Sequence, residues 1–122
     1  MTRLAILSAM LSAPALADVR VVDGDTIDID GERVRLCCID APELHARCPA
    51  EQALAEAARS RLQALIASGR PLVAEIARGR QRGRYERWLA RVYAGGVDVG
   101  NVLLAEGLAR HYAGGKRAGW CG

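Results

Sequence analysis

Short apolar and β-branched runs broken by turn dipeptides fill the chain from residue 19 to 39, and helical spacing takes over after residue 49. Segments 19–22, 26–29 and 33–39 are strand-like and are separated by Asp23-Gly24 and Asp30-Gly31, both of which favour tight turns. They predict a three-stranded meander. Pro49 stands where a first helical residue tolerates proline, and Leu54, Ala58, Leu62, Leu65 and Ile66 recur at helical spacing until Gly69. That stripe predicts a helix lying on the sheet. Strands follow at 72–76 and 88–93, divided by a Gly- and Arg-rich loop at 78–83, and Gly95-Gly96 ends the second of them. Asp98 is placed to cap a second helix, with Val102, Leu103 and Leu104 apolar and Gly107 at its end. The tail from Tyr112 is Gly-rich and has no period. This order, without repeat or linker, predicts one α+β domain: a five-stranded OB-type β-barrel with two helices.

The first residues read differently. Arg3, the apolar run 4–11 and then Ala15-Leu16-Ala17 make the n-region, h-region and small-x-small site of a signal peptide, residues 1–17, leaving 18–122 as the folded domain. The run is too short to span a bilayer. The expectation is a secreted or periplasmic protein with no membrane attachment after cleavage.

Cys37, Cys38, Cys48 and Cys121 all follow that site. An even count in a small exported domain points to disulfides, with three pairings open. Adjacent Cys37 and Cys38 on one strand face opposite ways, which disfavours a bond between them. Zinc is the weaker alternative, because no CxxC spacing occurs and the only histidines are His45 and His111.

The formal net charge of +3 is too small to argue for nucleic-acid binding, but its distribution is informative. Arg78, Arg80, Arg82, Arg84, Arg87 and Arg91 crowd one segment, while acids crowd residues 23–43. Carboxylates at Asp25, Asp40 and Glu43 suit a hard divalent cation, and a guanidinium at Arg35 suits a phosphate held against it. Asp40 with Arg35, or Glu43 with Arg87, reads equally well as a simple surface ion pair. Together the set reads as a metal-dependent phosphodiesterase.

Four pieces now stand in order: Asp23-Gly24-Asp25-Thr26, then Arg35-Leu36 with Ile39-Asp40-Ala41-Pro42-Glu43, then Tyr85-Glu86-Arg87 with Leu89-Ala90, and a segment from Asn101 ending Glu106-Gly107-Leu108-Ala109. In this the chain resembles the staphylococcal nuclease (thermonuclease) family over residues 19–112. The resemblance implies a five-stranded OB-fold barrel and calcium-dependent cleavage of DNA and/or RNA by a monomer. It implies Ca2+ held by the side chains of Asp25 and Asp40 and the Ala41 carbonyl, Glu43 acting on the attacking water, and Arg35 and Arg87 clamping the phosphate. Tyr85, Arg84 and Tyr112 then contact the substrate.

The chain departs from the family at Glu86, where glycine is usual, and it lacks the third C-terminal helix of the best-known member. A Cys48–Cys121 disulfide could tie the tail down in place of that helix. The alternative function is a non-catalytic domain that binds nucleic acid or another anionic polymer.

Overall fold

The computed structural model describes residues 10–13, 18–78 and 87–122. Among the described residues nine strands run in chain order as β1 Met10–Ala13, β2 Val19–Asp23, β3 Thr26–Ile29, β4 Glu32–Leu36, β5 Ile39–Asp40, β6 Leu72–Arg78, β7 Trp88–Ala94, β8 Val97–Asp98 and β9 Arg110–His111. The helices are α1 Pro49–Ser68 and α2 Val99–Ala105. The main sheet has the order β1-β6-β7-β4-β3-β2, with β8 beside β7 and a separate β5–β9 pair. All pairings are antiparallel except β4 with β7.

Strands β2, β3, β4, β6 and β7 with two helices form the α+β OB architecture expected of the sequence. Among the described residues the hydrogen-bonded path ends at β1 and β2 and does not close on itself.

The meander and both helices lie where the apolar pattern places them. In α1 the fully buried face is Ala55, Ala58, Leu62 and Ile66, while Leu54 is half-buried at the edge of the stripe. Ala58, Leu62 and Ile66 meet Ile27, Val34, Leu36 and Val92 of the sheet in one core. Each large aliphatic group buried there contributes roughly 1.5–3 kcal/mol. Asp98 caps α2, accepting from the N–H of Gly100 at 2.9 Å and of Asn101 at 3.3 Å. Gly107, at φ 74°, carries the chain out of that helix.

One strand departs from expectation. Segment 33–39 is broken at Cys37-Cys38, where a turn separates β4 from β5 and Cys38 adopts φ 78°. The two cysteines therefore do not alternate across a strand, and they are bonded to each other. The premise that disfavoured this pairing fails because the strand ends at Leu36. The second disulfide joins Cys48 to Cys121, the pairing suggested for the tail.

Met10–Ala13, inside the segment read as a signal peptide, pairs antiparallel with residues 72–75 of β6. Among the described residues no helix is long and apolar enough to cross a membrane.

Candidate active site

The β2–β3 turn brings carboxylates to the mouth of the sheet. Asp23 Oδ1 accepts from the N–H of Asp25 at 3.3 Å, and the Asp25 carbonyl accepts from the N–H of Leu36 at 2.8 Å, which seats the turn on β4. Gly24 is required between them. A Cβ there would stand 2.7 Å from Ala58 Cβ of α1 and 2.9 Å from Ala41 Cβ, and neither methyl can swing away.

Asp25 is almost fully buried and its carboxylate is held at both oxygens. Oδ1 accepts from Thr26 Oγ1 at 2.9 Å, and Oδ2 accepts from the Ala41 N–H at 3.0 Å. Arg35 reaches the same cluster from β4, where it sits in register with Thr26 on one side and Leu89 on the other. Its Nη1 lies 2.8 Å from Asp25 Oδ2, and its Nη2 lies 3.8 Å from Asp40 Oδ1. Asp40 is placed by β5, opposite Arg110 of β9.

Crowding shows in the acids' protonation. Burial pushes the Asp23 carboxyl up to about 7, and the hydrogen bond to Asp25 and that residue's charge push the same way. Burial also raises Asp40 above its ordinary value; Arg117 opposes this, Asp25 adds to it and Arg35 opposes it. Such a concentration of hard, partly uncompensated oxygen donors is what a divalent cation relieves. Asp40 Oδ1 is buried and makes no hydrogen bond that meets ordinary geometry. The donor set therefore fits a hard cation.

The carboxylates open onto a cleft of about 670 Å³, lined by Asp23, Asp25, Arg35, Glu43, Arg87 and Arg117 among others. The structure thus brings together Asp25, Arg35, Glu43 and Arg87, with Asp40 and Ala41 beside them. Tyr112 is adjacent: its ring centroid lies 5.9 Å from the guanidinium carbon of Arg35, and its N–H donates to the Cys38 carbonyl at 2.9 Å. Arg84 and Tyr85, with Arg80, Arg82 and Glu86, lie outside the described residues. Of the remaining basic strip, Arg87 faces the cleft, whereas Arg91 pairs with Asp98 at 3.3 Å. His45 lines the cleft from an exposed position, and His111 is exposed on β9.

Three residues of the site were not picked out from the sequence. Asp23 is one; its place in the acidic turn beside Asp25 was the available signal. Arg117 is another. Its Nη1 donates to Glu43 Oε2 at 3.2 Å, and its Nε lies 3.6 Å from Asp40 Oδ1. Nothing in the aperiodic tail marks it.

The third is Glu51, in the first turn of α1, whose side chain has no exposed surface. Its Oε1 accepts from the Arg47 N–H at 2.9 Å, and this bond leads the influences that hold its carboxyl below the usual range. The Arg47 Nε lies 3.4 Å from the same oxygen, so Glu51 anchors the chain just before α1, four residues beyond Glu43. An acid at the third helical position is the familiar sign of a capping side chain reaching back.

Comparison with known proteins agrees with this geometry. The chain is 35% identical over 117 residues to the succinoglycan biosynthesis protein ExoI of Rhizobium meliloti, covering 86% of this chain and 60% of that protein. It is 41% identical over 95 residues to the SPbeta prophage-derived endonuclease YokF of Bacillus subtilis, covering 75% and 32%. It is 36% identical over 121 residues to a micrococcal nuclease of Shigella flexneri, covering 84% and 64%. The chain thus spans between about a third and two thirds of the length of these curated relatives. Residues 33–118, well over half of the chain and including Arg35, Asp40, Glu43 and Arg87, match the family described as Staphylococcal nuclease homologue, and the protein belongs to that family.

Proposed function

We propose that this protein is an exported, calcium-dependent nuclease that hydrolyses phosphodiester bonds of DNA and/or RNA as a monomer. The observation that supports this most is the meeting, in one cleft, of buried Asp25 with Arg35, Glu43 and Arg87, and of buried Asp40 beside them within reach of Arg35. Two of the relatives are named as nucleases, which points the same way.

In this reading the carboxylates of Asp25 and Asp40 and the Ala41 carbonyl hold the cation. Calcium, when bound, supplies positive charge against the phosphate as negative charge builds there. Arg35 and Arg87 bind the phosphate oxygens, and their planar forks remain charged throughout. Glu43 orients a water molecule and takes its proton, a role worth roughly 10²- to 10⁴-fold in rate. Pro42, buried and fixed in φ, holds the backbone from which Glu43 projects. Tyr112, with Arg84 and Tyr85, contacts the substrate.

Export follows from the leader, residues 1–17, with the mature chain beginning at Asp18. Cleavage there removes β1 from the edge of β6 and leaves every residue of the cleft in place.

A second reading is a domain that binds an anionic polymer without cutting it, and the name of the R. meliloti relative is what favours it. Kinetics on variants separate the two. Asp25→Asn and Asp40→Asn should abolish calcium-dependent cleavage, and Glu43→Ala and Arg87→Ala should lower the rate constant by orders of magnitude with native far-UV circular dichroism. A parent protein that binds single-stranded DNA but never cleaves it would favour the second reading.

A further inference from the structure

The tail from Tyr112 to Gly122 is fastened to the body on both sides of Arg117. On one side the Tyr112 N–H is bonded to Cys38, and Tyr112 Oη donates to the Gly115 carbonyl at 2.6 Å. On the other, Arg110 Nη1 donates to the Gly119 carbonyl at 2.7 Å and its guanidinium stacks 3.7 Å from the Trp120 ring centroid, while Cys121 is bonded to Cys48. A segment held this way delivers Arg117 to a defined place.

That place is the carboxylate cluster. Arg117 is within 3.6 Å of Asp40 and 3.2 Å of Glu43, and its guanidinium carbon lies 5.8 Å from the centroid of the same Tyr112 ring that Arg35 approaches. It lines the main cleft and also a smaller cavity of about 190 Å³ shared with Asp40, Glu43 and Glu51. Its side chain is 41% exposed, so it can move without unpacking the core.

We propose that Arg117 is a third phosphate-binding arginine of the cleft, and that it sets the affinity for the cation by competing for Asp40 and Glu43. This rests on the nuclease reading above. A hard cation on Asp40 and the Arg117 guanidinium draw on the same oxygen, and like charges a few ångströms apart repel. Binding of the cation turns Arg117 away from Asp40, and the nearest anion then available in the cleft is the substrate phosphate. The Cys48–Cys121 bond keeps that swing short.

The test is a pair of titrations on the oxidised protein and on Arg117→Ala and Arg117→Lys: calcium chloride alone by calorimetry, and a cleavage-resistant phosphorothioate single-stranded oligonucleotide in calcium by fluorescence anisotropy. Arg117→Ala should bind calcium roughly threefold to tenfold more tightly and the oligonucleotide weaker by a similar factor. Arg117→Lys should restore part of the oligonucleotide affinity. A serine pair at Cys48 and Cys121 should weaken the oligonucleotide as well. Calcium binding that is unchanged or weaker in Arg117→Ala overturns the competition, and unchanged oligonucleotide binding overturns the phosphate contact. Failure of the parent to cleave DNA would instead strike the nuclease reading and leave both titrations decisive.

Discussion

Arg35 Nη1 lies 2.8 Å from Asp25 Oδ2, and the two side chains are only 6% and 5% exposed. An ion pair so deeply buried is costly to break from one side, because the remaining charge has no solvent to turn to. Arg35→Ala should therefore cost about 3–5 kcal/mol of stability, in addition to lost activity. Arg87, which lines the cleft and is only half-buried, should lose less stability than Arg35. Urea unfolding of Arg35→Ala and Arg87→Ala checks the contrast: a midpoint near the parent's for Arg35→Ala would mean the pair is not the keystone it looks to be.

The difference between these arginines also marks what could be read from sequence. Arg35 and Arg87 stand in motifs with fixed neighbours, and the acidic turn, the Pro42-Glu43 step and the stripe of α1 follow from local rules. Arg117 follows from no local rule, since its place depends on a disulfide across 73 residues and on the stacking of Arg110 on Trp120. Likewise the break at Cys37-Cys38 was hidden because the run 33–39 reads as one unbroken strand. The apolar segment holding Met10–Ala13 has the flanks of a leader, yet it pairs with β6 as a strand, which hydropathy alone does not foretell.

Gly24 joins turn, helix and site at one atom. Gly24→Ala should lower stability by roughly 1–3 kcal/mol, since the new methyl meets Ala58 and Ala41 below 3 Å. It should also weaken calcium binding, because Asp23 and Asp25 move with the turn. Calorimetry beside thermal unfolding tests both; retained stability would show that α1 can yield there.

The two disulfides should differ sharply. Opening Cys48–Cys121 by serine substitution frees a loop spanning 73 residues and should cost roughly 2–4 kcal/mol. Opening Cys37–Cys38, whose sequence separation is 1, frees almost no chain entropy and should cost far less. Equal losses in chemical denaturation would contradict this.

Glu51 predicts a pH dependence. Its folded pKa is held below the ordinary carboxylate value of 4.5, chiefly by the Arg47 N–H, so the folded state binds fewer protons than the unfolded chain over that range. The stability it contributes is present above about pH 4.5 and is lost as pH falls through the folded value. Glu51→Gln should flatten the fall in urea midpoint between neutral pH and pH 3. A variant that tracks the parent throughout would remove Glu51 from its role in anchoring the chain at Arg47.

If the cleft cuts phosphodiester bonds with a hard cation, its activity must follow the cation. Digestion of single-stranded DNA by the oxidised protein in calcium, then in EDTA, then with calcium restored, tests it most directly. Cleavage is expected in calcium, with its loss in EDTA and its return when calcium is restored. A rate that EDTA leaves unchanged, or no cleavage in calcium by a protein with native circular dichroism and both disulfides formed, would contradict it.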